Sequence, residues 1–292
     1  MLWIFYSFIS AFTLSTADAL SKKALSRFDE YIIAWTRVAF AAPLLTVILF
    51  FIEIPELDAT FWMVTAMLLP LEIGAKIMYI KAIKASPLSL TIPFLAFTPV
   101  FLILTSFIFL GEIPNLYGVI GILLVVAGGY TLNIQEFKEG IFEPVKAVFK
   151  EKGSLYMLII AFVYSITSNL GKIAILHSTP LFFGAIYYVI VAIVFTPVAL
   201  WRSQEMRNLN FFRDNYSRII FPLIGIAITL SIFAHNLAIV LTNVSYMIAV
   251  KRTSMLFSVG YDYFIFEERK IMGRLVGCVI MIVGVGMIMV YG

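Results

Sequence analysis

The segment Met247–Leu256, MIAVKRTSML, sets Lys251 beside Arg252 inside an otherwise apolar run. Cations are expensive at membrane depth, so an adjacent pair implies either an acidic ligand or carboxylate partners within the protein. On a helix starting at Val244, Lys251 falls about seven residues in, ~10 Å along the axis. A lysine stem of ~6 Å reaches the interface from that depth only under strain. Lys251, Ser254, Ser258 and Asp262 recur at spacings of three, four and four, which predicts a polar face on one continuous helix. Arg252 is turned about 100° around the same cylinder, toward a neighbouring helix.

A second constellation lies in LEIGAKIMY, where Glu72 and Lys76 stand four residues apart and Tyr79 continues their face. An ion pair between the two would lower the cost of both without any ligand. Alternatively, Glu72 faces Lys251 or Arg252 across a cavity. His235 and Asn236 are polar at similar depth in another apolar run, and Asp18 with Arg37 form a candidate structural pair. The intramembrane cations Arg37, Lys76, Lys251 and Arg252 outnumber Asp18, Glu72 and Asp262 by one. That surplus favours an anionic or zwitterionic ligand. The residues expected to bind it are Lys251 and Arg252 for charge, with Glu72, Lys76, Tyr79, His235, Asn236, Ser254 and Ser258 around them.

The elements that must position these groups follow from composition. Of the 292 residues 62% are hydrophobic and 13% charged, against about a quarter charged in soluble domains. Mean hydropathy is +1.00. Apolar runs of about 18 residues or more recur along the chain without the alternation of a β-barrel. The fold class is therefore all-α membrane protein. Breaks at charges, Pro and Gly give about ten spans, near 2–20, 31–52, 61–83, 88–110, 116–132, 155–176, 182–201, 219–241, 244–266 and 271–291. The first run has no basic n-region and reads as a retained helix, not a signal peptide. Pro93 and Pro99 are expected to kink the fourth span, and the aromatic content (15%) reads as interfacial belt and lipid-facing surface.

The chain also reads as duplicated. A shift of 150 sets Ser15 on Ser165, Leu20 on Leu170 and Lys22 on Lys172; a shift of 156 sets Glu112 on Glu268, Gly121 on Gly277 and Gly128 on Gly284. The halves are 1–132 and 153–292, joined by a polar connector over 133–152. Five spans per half is odd, so the second copy enters the membrane inverted. The loops after odd spans hold Lys and Arg, from Lys22 to Arg274, whereas those after even spans hold none. The positive-inside rule then puts both termini outside a prokaryotic plasma (inner) membrane. Inverted repeats mark secondary transporters, with the substrate between the halves near mid-membrane. At the 156 shift Lys251 and Arg252 meet Leu95 and Ala96. A requirement of the shared scaffold would recur in both copies; these charges do not.

Ser86–Gly129, SPLSLTIPFLAFTPVFLILTSFIFLGEIPNLYGVIGILLVVAGG, has a Pro-containing span, a Gly-Glu turn and a Gly-rich span in that order. FEERKIMGRLVGCVIMIVGVG repeats the Glu and the glycines. With ten spans in two halves, the chain resembles the drug/metabolite transporter superfamily, EamA-type permeases in particular. VKRTSMLFSV in the ninth span also resembles that of plastid triose-phosphate translocators, where an adjacent Lys-Arg pair binds phosphate; this implies anion binding by Lys251 and Arg252. The fourth-span lysine of that branch has no counterpart here.

The expected function is secondary active transport of a small organic anion or zwitterion. The alternatives are an exporter of neutral or aromatic metabolites with structurally paired charges, or a non-transporting subunit or partner of a lipid-linked-sugar flippase. No enzyme activity is expected, no G-x-x-x-x-G-K loop occurs, and the single cysteine, Cys278, supports neither disulfide nor Cys-rich metal site. No cofactor and no nucleic-acid partner are expected. The partners are a small-molecule substrate and the lipid bilayer, with the chain a monomer or weak homodimer.

Overall fold

The computed structural model describes residues 1–85, 92–132, 152–208, 211, 214–266 and 274–292. The connector expected over 133–152 lies outside them except for its last residue, as does Glu268; the side chain of Asp262 is likewise not described. Thirteen α-helices make up the described chain, with no strand among them. In the first half they are α1 (Leu2–Ala24), α2 (Glu30–Ala39), α3 (Ala42–Leu49), α4 (Ala59–Ala85), α5 (Thr98–Leu110) and α6 (Leu116–Thr131). The second half has α7 (Lys152–Leu176), α8 (Pro180–Arg202), the short α9 (Gln204–Asn208), α10 (Asn215–Ile239), α11 (Val244–Lys251), α12 (Ser254–Phe266) and α13 (Arg274–Tyr291). Five stretches, Glu30–Leu49, Ala59–Ala85, Lys152–Leu176, Pro180–Arg202 and Asn215–Ile239, are long and apolar enough to cross a bilayer.

Three expected spans are interrupted. The second divides at Phe40–Ala41, because Pro43 in the first turn of α3 has no N–H to bond back into α2. The fourth opens as a 3₁₀ turn, Ile92–Phe97, before α5 begins with Pro99 in its first turn. The ninth is not one continuous helix: α11 ends at Lys251 and α12 starts at Ser254. No Pro or Gly marks that break. Its amides tighten to i→i−3 bonds instead, Thr253 N–H to Val250 O at 3.0 Å, Met255 to Arg252 O at 3.0 Å and Leu256 to Thr253 O at 2.9 Å.

The main helix pairings join the two halves. The first span α1 packs on the eighth, α10, and in the inverted equivalent of that pairing the sixth, α7, packs on the third, α4; α2 and α3 pack on α8. Helices α6 and α13 pair with each other along the pseudo-twofold. Two glycine pairs allow this contact. A Cβ on Gly128 would lie 2.7 Å from Gly277 O, and one on Gly121 would lie 2.8 Å from Gly284 O. Any side chain there would push the backbones apart, as expected for glycines placed for close packing. Hydroxyl and amide groups bind across the same boundary: Ser10 Oγ to Ser231 O at 3.1 Å, Ser15 Oγ with Ser258 Oγ at 2.9 Å, Trp35 Nε1 to Thr196 Oγ1 at 2.9 Å and Ser106 Oγ to Asn169 Oδ1 at 2.8 Å. In an apolar solvent such bonds select the partner helix, since tail-facing surface does not.

Candidate functional site

These pairings leave a cavity of about 180 Å³ between the halves, walled by both of them. At ~15 Å³ per water position this is room for roughly a dozen waters, or one small metabolite. Each of Glu72, Lys76, Tyr79, His235, Asn236, Lys251, Arg252, Ser254 and Ser258 borders it. Asp18 and Arg37 border it too, although their sequence positions read only as a structural pair.

The charges fall into two kinds. Lys76 Nζ lies 2.9 Å from Glu72 Oε2, one turn apart near the middle of α4. Arg37 Nη1 lies 2.6 Å from Asp18 Oδ1, bridging α1 and α2, and the Tyr79 hydroxyl donates to Asp18 Oδ2 at 3.1 Å. Both carboxylates are thus taken by cations of the same half. Glu72 has its ion pair with Lys76, not with Lys251 or Arg252.

Lys251 and Arg252 have neutral partners. Lys251 Nζ lies 3.1 Å from His235 Nδ1; as an ammonium it donates there to a neutral imidazole protonated on Nε2. Arg252 Nη2 donates to Thr98 Oγ1 at 2.8 Å, and Arg252 Nε is buried with no acceptor. Neither cation makes a salt bridge among the described residues. Asn236 Nδ2 donates to Pro180 O at 3.3 Å, tying α10 to the start of α8. Ser258 bonds Ser15 Oγ and Ser254 O. These two residues border the cavity with their hydrogen bonds already directed at helices.

The wall facing the cations includes Phe183, Tyr187, Tyr188 and Tyr164. Phe183 and Tyr187 stack at 5.0 Å and 14°, and Lys76 Nζ sits 5.1 Å from the centre of the Tyr188 ring. These tyrosines correct the assignment of the aromatics to belt and lipid surface: Tyr187 is 2% exposed. The signal was present as FGAIYYVIV, two adjacent tyrosines mid-span, where an interfacial belt residue does not belong. One further acid–base pair went unread. Lys172 Nζ lies 2.5 Å from Glu112 Oε1 and also donates to Thr242 O at 2.7 Å, while the Val244 N–H donates to Glu112 Oε2 at 2.8 Å. It joins the Gly-Glu turn of the first half to two elements of the second, outside the cavity wall. That turn is closed by Gly111, the one described glycine with positive φ, at 68°.

A bilayer-length helical bundle with inverted halves and a charged cavity between them is the architecture of a membrane carrier. The sequence model of the EamA-like transporter family matches residues 1–134 and again 151–290, once per half. The chain belongs to that family, and so is an integral membrane transporter. A solved crystal structure whose description names no function superposes with a TM-score of 0.76, covering 98% of this chain and 95% of its own at 13% identity. That likeness concerns the fold alone. No curated protein matches the sequence.

Proposed function

We propose that this transporter carries a small organic anion or zwitterion, such as a carboxylate, an amino acid or a phosphorylated metabolite, by alternating access of the two halves. The observation that carries the reading is the pairing pattern. Asp18 and Glu72 are each neutralised by a cation of the first half, whereas Lys251 and Arg252, from the second, meet only neutral partners among the described residues. Buried cations left in that state attract an acidic group. His235, Tyr79, Ser254 and Ser258 complete the site with polar groups, Asn236 shapes it, and Glu72 with Lys76 sets its charge. The repeats divide at 1–132 and 153–292 about the connector, both termini face outward from a prokaryotic inner membrane, and the unit works as a monomer or weak homodimer. With no nucleotide-binding loop, a solute or ion gradient drives it.

The test is thermal stability of detergent-purified protein against amino acids, dicarboxylates and sugar phosphates, for wild type and Lys251→Gln. A ligand at 100 times its Kd adds about 2.7 kcal/mol of stability. One acidic class is expected to raise the Tm of wild type and not of the folded variant. A wild type indifferent to every anion would refute the reading. The tyrosine wall favours the second candidate, neutral or aromatic metabolites, and a rise with uncharged aromatic compounds alone would establish it.

A further inference from the structure

The Lys-Arg pair belongs to the second half, yet the side chain holding Arg252 does not. Thr98 begins α5 in the first half and is completely buried. Its hydroxyl has two partners. The Oγ1–H donates to Leu95 O at 2.8 Å, within the 3₁₀ turn, and Oγ1 accepts from Arg252 Nη2 at 2.8 Å. The first bond uses the only proton the hydroxyl has, so toward Arg252 the oxygen can only accept. The direction of the relay, Arg252 to Thr98 to the Leu95 carbonyl, is therefore set by the backbone of the fourth span.

The repeat explains why the hydroxyl is there. At the 156 shift, Ile92–Phe97 falls on Ile248–Thr253 and Thr98 falls on Ser254. The first copy forms a 3₁₀ turn over Ile92–Phe97, the second breaks its helix at Arg252–Thr253 with i→i−3 bonds, and each then begins an α-helix on a hydroxyl residue. In the first copy the turn carries Leu95 and Ala96 where the second carries Lys251 and Arg252. The two breaks meet, and the uncharged one supplies the acceptor for the charged one. Arg252 Nε is buried without an acceptor, while the residue borders the cavity. Because the guanidinium is a rigid plane, the Thr98 bond that fixes Nη2 fixes the direction of every other donor.

Resting on the anion-carrier reading, we propose that Thr98 is a positioning residue for Arg252, orienting its guanidinium edge for a substrate carboxylate from the opposite half of the transporter. We take the acidic group to be a carboxylate; a guanidinium meets a phosphate with paired bonds just as well, so inorganic phosphate is the competing ligand in the test.

Binding is measured by the Tm shift and by titration calorimetry with a panel of mono- and dicarboxylates, their uncharged amides and inorganic phosphate. The proteins are wild type, Arg252→Gln, Thr98→Val and Thr98→Ser. The expected result is carboxylate binding by wild type, weaker by about tenfold in Thr98→Val and within about threefold of wild type in Thr98→Ser, with any amide binding unchanged. Thr98→Val keeps the side-chain volume, and the Thr98→Ser rescue separates loss of the hydroxyl from a general packing defect. If Arg252→Gln loses carboxylate binding while Thr98→Val keeps it, the positioning role is wrong and the anion reading stands. Equal loss in Thr98→Val and Thr98→Ser overturns the positioning role as well. Phosphate binding tighter than every carboxylate overturns the substrate class. If wild type binds no anion, or Arg252→Gln binds as wild type does, the anion reading itself fails and this inference with it.

Discussion

The 3₁₀ turn at Ile92–Phe97 and the helix break at Arg252–Thr253 fall at the same place in the repeat and have opposite chemistry. The first is apolar at its centre, with Phe94, Leu95 and Ala96 buried at 3%, 4% and 0% exposure. The second puts Lys251 and Arg252 at the same register, against His235 and Thr98. Since both turns share the break, the break belongs to the duplicated scaffold. Since only one carries charge, the charge is not a requirement of the shared scaffold. The cost of that charge is not offset locally: the two carboxylates bordering the cavity within described side chains, Asp18 and Glu72, already have partners.

The largest expected effect comes from moving the charge to the other turn. Leu95→Lys would bury an ammonium with no carboxylate free to receive it, and should lower unfolding stability by about 4 kcal/mol. The reciprocal Lys251→Leu removes a cation that has no carboxylate partner, and its Tm should equal or exceed that of wild type. A Tm drop in Lys251→Leu as deep as that in Leu95→Lys would erase the distinction between the turns and make the pair internal structure.

A smaller effect separates the paired charges from Lys251 and Arg252. Glu72→Gln leaves Lys76 without its carboxylate in a site still 17% exposed on the lysine side, so a loss of about 2 kcal/mol is expected after allowing for hydration. Adding Lys76→Met should recover most of it. Denaturation of the single and double variants provides the measurement, and failure of the second change to recover stability would show that Glu72 serves Lys251 and Arg252 instead.

The smallest effect lies outside the cavity and serves as a control. Asp58 caps α4, accepting from the Phe61 N–H at 2.8 Å, and lies 2.7 Å from His177 Nδ1 in the other half. The Phe61 amide, then His177, hold its carboxyl below the ordinary value of 3.8. A depressed folded pKa gives stability that is present above pH 3.8 and fades as the pH falls through the lower folded value. Wild type should therefore show a small additional fall in Tm below pH 4 that Asp58→Asn lacks. Matching pH profiles for the two proteins would remove this contact from the account.

How much of this was legible beforehand varies with the range of the interaction. Composition and run length sufficed for a helical membrane protein, because a bilayer admits few backbone solutions. The i,i+4 pairing of Glu72 with Lys76 and the breaking power of Pro43 and Pro99 are local, and local spacing displays them. The weak identities at shifts of 150 and 156 led to inverted halves because an odd number of spans leaves no other arrangement. The break at Arg252–Thr253 was not legible: no Pro or Gly marks it, and KRTS would continue a helix in isolation. Tertiary bonds accompany it, to Thr98 some 154 residues away and to His235 in the preceding helix. The same holds for Asp18 and Arg37, which reach the cavity only once α1, α2 and α10 pack. Hydropathy and helical period act over one or two turns and are written into the chain. Which buried cation finds a carboxylate and which meets a neutral group depends on the side chains that packing brings within about 3 Å, and only the tertiary structure decided that.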